Sequence, residues 1–181
     1  MAMDEREILR SELRWGAVVA GAAGLIVAVI VVSSASLLLH PPSNVETIDP
    51  VTLHLEGEFV EDNLGTIEST DGTIVARLVA TQFAFVPRCL AVPAGRPVTL
   101  RITSPDVIHG LLIAGTNVNT MVVPGYVAQV RTVFQQPGDH LMPCHEYCGL
   151  GHSEMWSLVR VLPPDQWQPD EQGRVSCDVP H

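Results

Sequence analysis

The chain contains no lysine. Its ten basic residues are all arginine and are set against twenty acids, for a formal net charge of −10. A nucleic-acid binder needs a basic stripe to displace counterions, so this balance excludes that class. At 181 residues the chain is too short for a multidomain enzyme, but it can bury one core beside something small. No internal repeat is visible. Charged residues are scarce, 17% against a 46% apolar share, and the excess of apolar residues is concentrated in one place.

Residues 15–39, WGAVVAGAAGLIVAVIVVSSASLLL, hold no charge over 25 positions. About 20 apolar helical residues span a bilayer's hydrocarbon core, and glycines and alanines suit a helix that packs against other membrane helices. A secretory signal is the competing assignment. It needs a basic leader, an apolar run of roughly 7–15 residues and a small-residue cleavage site. Ala35 and the neighbouring serines imitate that site, but the run is too long, and the first fourteen residues hold four acids against three arginines. The segment is therefore expected to be a retained transmembrane helix. Arg6, Arg10 and Arg14 precede it, and no further arginine occurs until Arg77. The positive-inside rule then places residues 1–14 in the cytoplasm and the large domain outside. The acid surplus belongs to that outer domain, where it solvates the surface and suits the steering of a basic partner.

Residues 40–72 read as a linker and the start of the outer domain, with His40-Pro41-Pro42-Ser43-Asn44 as a stiff stretch that ends the helix. Beyond it, β-rich runs occur at 73–80, 97–102, 110–115, 126–134 and 155–162. Turn signals separate them: Asp71-Gly72, Pro93-Ala94-Gly95, Pro124-Gly125 and Pro137-Gly138-Asp139. Short strands with this punctuation predict a mainly β sandwich or barrel over 73–162. Residues 163–181 read as a mostly irregular tail.

Chemistry is concentrated in Cys144-His145-Glu146-Tyr147-Cys148-Gly149-Leu150-Gly151-His152-Ser153-Glu154-Met155. Thiolates and a thioether select soft metals, and imidazole suits copper and zinc. A Cys144–Cys148 disulfide and a tetrahedral zinc site are the alternatives, although zinc has no use for Met155. A single blue-copper site needs one cysteine, two histidines and a weak methionine, so a second cysteine is one thiolate too many. Two thiolates can instead bridge two copper ions, each completed by a histidine and a weaker ligand. His152 and Met155 supply part of that set. The candidate for the distant histidine is His109, in Ser104-Pro105-Asp106-Val107-Ile108-His109-Gly110, where Asp106 would be its hydrogen-bond partner; an ordinary surface or hydrogen-bonded histidine at a strand end is the alternative.

These two strings resemble subunit II of the haem–copper oxygen reductases, which carries the dinuclear copper-A centre. The family pattern is a distant histidine followed by C-x-x-x-C-x-x-x-H-x-x-M, and every element is present. The resemblance covers roughly residues 10–162, and the single membrane helix, GTNVN at 115–119 and VPGYVAQVRTVF at 123–134 are similar to its B-type branch. It implies a cupredoxin-like Greek-key β-barrel on one N-terminal transmembrane helix. The implied copper ligands are His109, Cys144, Cys148, His152, Met155 and the backbone carbonyl of Glu146. Electrons would arrive from a c-type cytochrome or small copper protein and leave to haem in subunit I, where oxygen is reduced to water. The implied location is a prokaryotic inner membrane, with the domain on the periplasmic side. A copper-A subunit of a nitric oxide reductase and a stand-alone tethered cupredoxin are the alternatives.

Three further positions follow from the same resemblance. Glu146 matches a magnesium ligand at the subunit I interface of A-type members. Phe83, in Gln82-Phe83-Ala84-Phe85, matches the position where electrons enter, with a core aromatic as the alternative. Glu12, beside Arg14-Trp15, matches a proton-uptake carboxylate, with an ordinary interfacial charge as the alternative. Cys89 and Cys177 lie outside the metal pattern. In an oxidising compartment they can pair and pin the tail to the barrel.

Overall fold

The computed structural model describes residues 5–37 and 46–177. The linker expected at 40–44 lies outside the described residues, as do the first four residues and the last four of the tail. The chain divides into two units, 1–43 and 44–181.

The described part of the first unit is one helix, α1 (Glu5–Leu37). It begins ten residues ahead of the uncharged run that starts at Trp15. The extension has a local cause. Residues 5–14 are mostly strong helix formers, and Glu5 and Glu7 sit in the first turn, where the helix dipole favours acids. Residues 5–35 are long and apolar enough to cross a membrane. Trp15, Val19, Leu25, Ile26 and Ile30 are all exposed within the unit. A helix that is apolar all round needs lipid or other helices as its solvent.

Among its described residues, the second unit contains twelve strands. They are β1 (Glu46–Thr47), β2 (Gly65–Glu68), β3 (Ile74–Thr81), β4 (Ala84–Val86), β5 (Cys89–Pro93), β6 (Pro97–Thr103), β7 (His109–Leu112), β8 (Asn119–Val122), β9 (Tyr126–Val133), β10 (Gly138–Pro143), β11 (Trp156–Leu162) and β12 (Arg174–Val175). The main sheet runs β1-β9-β6-β3-β2-β12, with β4 paired to β3; a second runs β10-β11-β5, and β7 pairs with β8. The pairs β3–β6 and β5–β11 are parallel, so the chain crosses repeatedly between the sheets, giving a cupredoxin-like fold. The five runs expected from sequence became β3, β6, β7, β9 and β11.

The core follows from alternation. In β3, Ile74, Ala76, Leu78 and Ala80 are buried while the residues between them are not, as one buried sheet face requires. They meet Val98, Leu100 and Ile102 of β6, Leu90 and Val92 of β5, Val159 and Val161 of β11, and Phe85 and Phe134. On the opposite face of the main sheet, the segment before β2 forms a flap. Leu53 and Phe59 pack there with Val127, against Val79 and Leu64. Glu58 of that flap accepts from Arg77 (3.2 Å) and also pairs with Arg101. Burial works against ionisation of Glu58, but the two guanidiniums outweigh it and hold its pKa below the usual value.

The tail is more ordered than its composition suggests. Arg174–Val175 pair with β2, Trp167 Nε1 donates to Glu68 Oε2 at 2.5 Å, and Cys177 is bonded to Cys89 across a Cα separation of 5.6 Å.

Candidate metal centre

Two pieces of chain form the centre: the start of β7 and the loop joining β10 to β11. The loop is closed at its ends, where Cys144 N–H donates to the Met155 carbonyl at 2.9 Å. It is laced to β7 by a bridge between Leu111 and Cys144 and by His145 N–H donating to the Gly110 carbonyl at 3.2 Å. The backbone thus fixes His109, Cys144 and Met155 before any metal arrives. His109, Cys144, Cys148 and Met155 are buried, and His152 lies at the half-buried start of a short 3-10 turn.

Cys144 Sγ and Cys148 Sγ are 4.0 Å apart. His109 Nδ1 is 3.9 Å from Cys144 Sγ; His152 Nδ1 and Met155 Sδ are each 3.6 Å from Cys148 Sγ. The Glu146 carbonyl oxygen is 3.2 Å from Cys144 Sγ. A metal–thiolate bond is about 2.3 Å, which sets neighbouring ligands of a tetrahedral ion about 3.8 Å apart. The donor spacings therefore fit a soft metal held between the sulfurs. Both cysteines are free thiols. Their separation is about twice a disulfide bond length, so the Cys144–Cys148 disulfide alternative is not what this fold builds. Burial and the neighbouring Cys144 push the Cys148 thiol up to about 11. A cation must therefore displace the proton when it binds.

Asp106 orients His109. Its Oδ1 accepts from His109 Nε2 at 2.9 Å and from Val107 N–H at 2.6 Å. Its Oδ2 accepts from Gln82 N–H at 2.7 Å and from the Thr81 hydroxyl at 2.9 Å. Burial opposes ionisation, yet these donors, His109 first, hold the carboxyl down at about 2. The fixed carboxylate keeps a proton on Nε2 and turns Nδ1 toward the sulfurs.

The remaining candidates are distributed as follows. Phe83 is partly exposed, and its ring edge lies against Gly149 and Gly151, so close that an alanine at Gly151 would place its Cβ 2.6 Å from the ring. Phe83 is therefore a neighbour of the ligand loop and no core residue, whereas Phe85 is wholly buried. Gln82, to which the sequence assigns no role, donates from Nε2 to the Cys148 carbonyl at 2.6 Å. Its place just before Phe83 was the only sequence signal. Glu12 is exposed on α1, and the side chain of Glu146 is half-buried.

A β-sandwich that presents two buried thiols, two imidazoles and a thioether from one strand and one loop is a copper-type cupredoxin domain. The comparisons narrow that class. Residues 74–162 match the family described as cytochrome c oxidase subunit II, periplasmic domain. The chain is 36% identical over 121 residues to a cytochrome c oxidase subunit 2 of Thermus thermophilus, covering 67% of this chain and 90% of that one. A second such subunit from Thermus thermophilus is also 36% identical, with 67% and 72% covered. Among solved structures, a chain of a heme-copper terminal oxidase dimer matches with a TM-score of 0.67 at 27% identity, over 84% of this chain and 99% of that one. The chain belongs to the cytochrome c oxidase subunit II family.

Proposed function

We propose that this chain is the subunit through which electrons enter a respiratory haem–copper oxidase, by a dinuclear copper-A centre on His109, Cys144, Cys148, His152, Met155 and the Glu146 carbonyl. The observation that carries this reading is the pair of free, buried thiols 4.0 Å apart with further donors beside both. The chain is a single-pass subunit of an oxidoreductase complex, works with other oxidase subunits, and its site suits copper. Two copper ions held by these residues would supply a one-electron carrier.

The chain's own residues do the rest. Cys144 and Cys148 would release their protons to solvent as the cation binds. Asp106 holds His109 with Nδ1 as its free donor atom. The closed loop and the Gln82 bond to the Cys148 carbonyl keep the donors from moving, which suits a site that must change charge with little change in shape. Phe83, against the ligand loop and partly exposed, lies where an outside donor, a c-type cytochrome or small copper protein, would approach. Electrons would leave this chain for haem in subunit I. The Glu146 side chain is the group a magnesium ion at the subunit I face would use, and Glu12 is the candidate for proton uptake. Three arginines before the span and none after it until Arg77 favour a cytoplasmic N-terminus and a periplasmic domain.

The test is copper loading of the full chain in detergent. Two coppers per chain, with a hyperfine pattern from one electron shared over two copper nuclei, are expected. One copper with a single-nucleus pattern, or preferential zinc binding, would overturn the assignment.

A further inference from the structure

Gly110 follows His109 in β7 and has no side chain for a reason visible in its surroundings. A Cβ built there would lie 2.5 Å from both Cε1 and Nδ1 of His145. The His145 imidazole thus occupies the space a side chain at 110 would take. Gly110 is paired directly with Met121 of β8. Directly opposed residues on an antiparallel pair share a face, with Cβ positions about 4.5–5.5 Å apart. The side chain of Met121 therefore leaves the sheet on the face that the imidazole of His145 covers. Met121 is 41% exposed, and His145 is exposed. Neither ring nitrogen of His145 has a hydrogen-bond partner among the described residues.

An exposed methionine on β8, which among the described residues pairs with β7 alone, is a poor use of apolar surface. The imidazole covers Gly110, yet both its nitrogens are left without hydrogen-bond partners among the described residues. Side by side they are a soft donor pair. Thioether and imidazole together select Cu(I) over the hard cations. Two ligands leave further coordination positions open, which a delivering protein or chelator can fill during transfer. The location is also apt. His145 follows the ligand Cys144 directly, and Gly110 follows the ligand His109. The surrounding domain is acidic, which concentrates cations at its surface.

We propose that His145 and Met121 form a surface Cu(I)-acquisition site, distinct from the buried centre, at which copper first docks on its way inward. The inference rests on the copper-A reading only for the destination of the metal. The site itself is separable and testable by itself.

The experiment uses the full chain in detergent, copper-loaded and kept reduced with ascorbate, with 13C-labelled methionine methyl groups. Further Cu(I), supplied from a competing chelator, should shift the Met121 methyl resonance while the Met155 methyl stays in place. H145N should weaken that response by at least about tenfold in Cu(I) concentration, the scale on which losing a metal-site partner acts. M121L should slow copper uptake by the apo chain by a similar factor. A Met121 methyl that does not move, or that responds equally in H145N, overturns the proposal. So does unaltered uptake in M121L. Failure of the copper-A reading would look different: the initial loading would not reach two coppers per chain, whatever Met121 reports. A chain carrying C144S and C148S provides the same methyl readout with the buried thiols gone.

Discussion

Replacing Asp106 with asparagine removes one oxygen from a group that uses both. Oδ1 serves Val107 N–H and His109 Nε2; Oδ2 serves Gln82 N–H and the Thr81 hydroxyl. Asparagine keeps one carbonyl oxygen and gains an NH2. Whichever side the NH2 takes, it faces a backbone N–H, at 2.6 Å on one side and 2.7 Å on the other. One amide is left unpaired, at about 1–3 kcal/mol, and the charge-assisted character of the remaining bonds is lost. The side chain is 26% exposed, so water recovers part of this, and a net loss of about 1–3 kcal/mol is expected. The second effect is on the metal. Without a fixed acceptor for Nε2–H, the His109 ring is free to change tautomer and tilt. Affinity should fall on the order of 10–100-fold. The assay is urea unfolding of the apo chain, followed by copper competition against a chelator of known affinity. If D106N keeps the wild-type unfolding midpoint and retains copper equally well, Asp106 does not position His109.

Three other outcomes are expected. Replacing Cys89 and Cys177 together by serine opens a link across a sequence separation of 88 residues; thermal unfolding should show a loss of about 2–4 kcal/mol, with the copper spectrum unchanged. Glu58 has a lowered pKa in the folded chain. Its stabilising contribution is therefore complete above the ordinary value of 4.5 and fades as pH falls through the lower folded value; E58Q should flatten that part of the acid-unfolding curve. Gly173 has φ +76°, and a Cβ there would fall 2.0 Å from the Glu68 carbonyl oxygen. G173A should cost about 1–3 kcal/mol and raise hydrogen exchange at Arg174 and Val175 first, because β12 can no longer close on β2.

How far the fold could be read from sequence depended on whether each strand's burial showed in its pattern. β3 and β11 alternate buried positions with half-buried or exposed ones, and both were legible. β5, Cys89–Pro93, is buried at every position, so it has no period to detect, and a proline closes it. β8 and β10 carry polar residues or prolines and exist only because β7 and β11 lie beside them. The flap at 46–64 and the tail share another difficulty. Their anchors are pairings between distant positions: Glu58 with Arg77 and Arg101, Trp167 with Glu68, Cys177 with Cys89. No local window contains both partners.

The metal centre was legible for the opposite reason. Five of the six proposed donors lie within twelve residues, on one tight loop. The sixth, His109, was legible through its place at the end of a β-rich run and through the string at 104–110 around it. The positioning layer around the donors was harder to see. Gln82 reaches the Cys148 carbonyl over a separation of 66 residues, and glutamine is common enough on a surface that its type signals nothing. His145 illustrates the limit most clearly. In sequence it is one more histidine inside a ligand loop. Its relation to Gly110 appears only once the ligand loop is laced to β7, and its relation to Met121 only when β7 and β8 pair in register. Donor identity is thus written locally and donor geometry is not. The residues that hold or feed a metal centre are the ones a sequence conceals, because their chemistry becomes specific only once distant strands have fixed their neighbours.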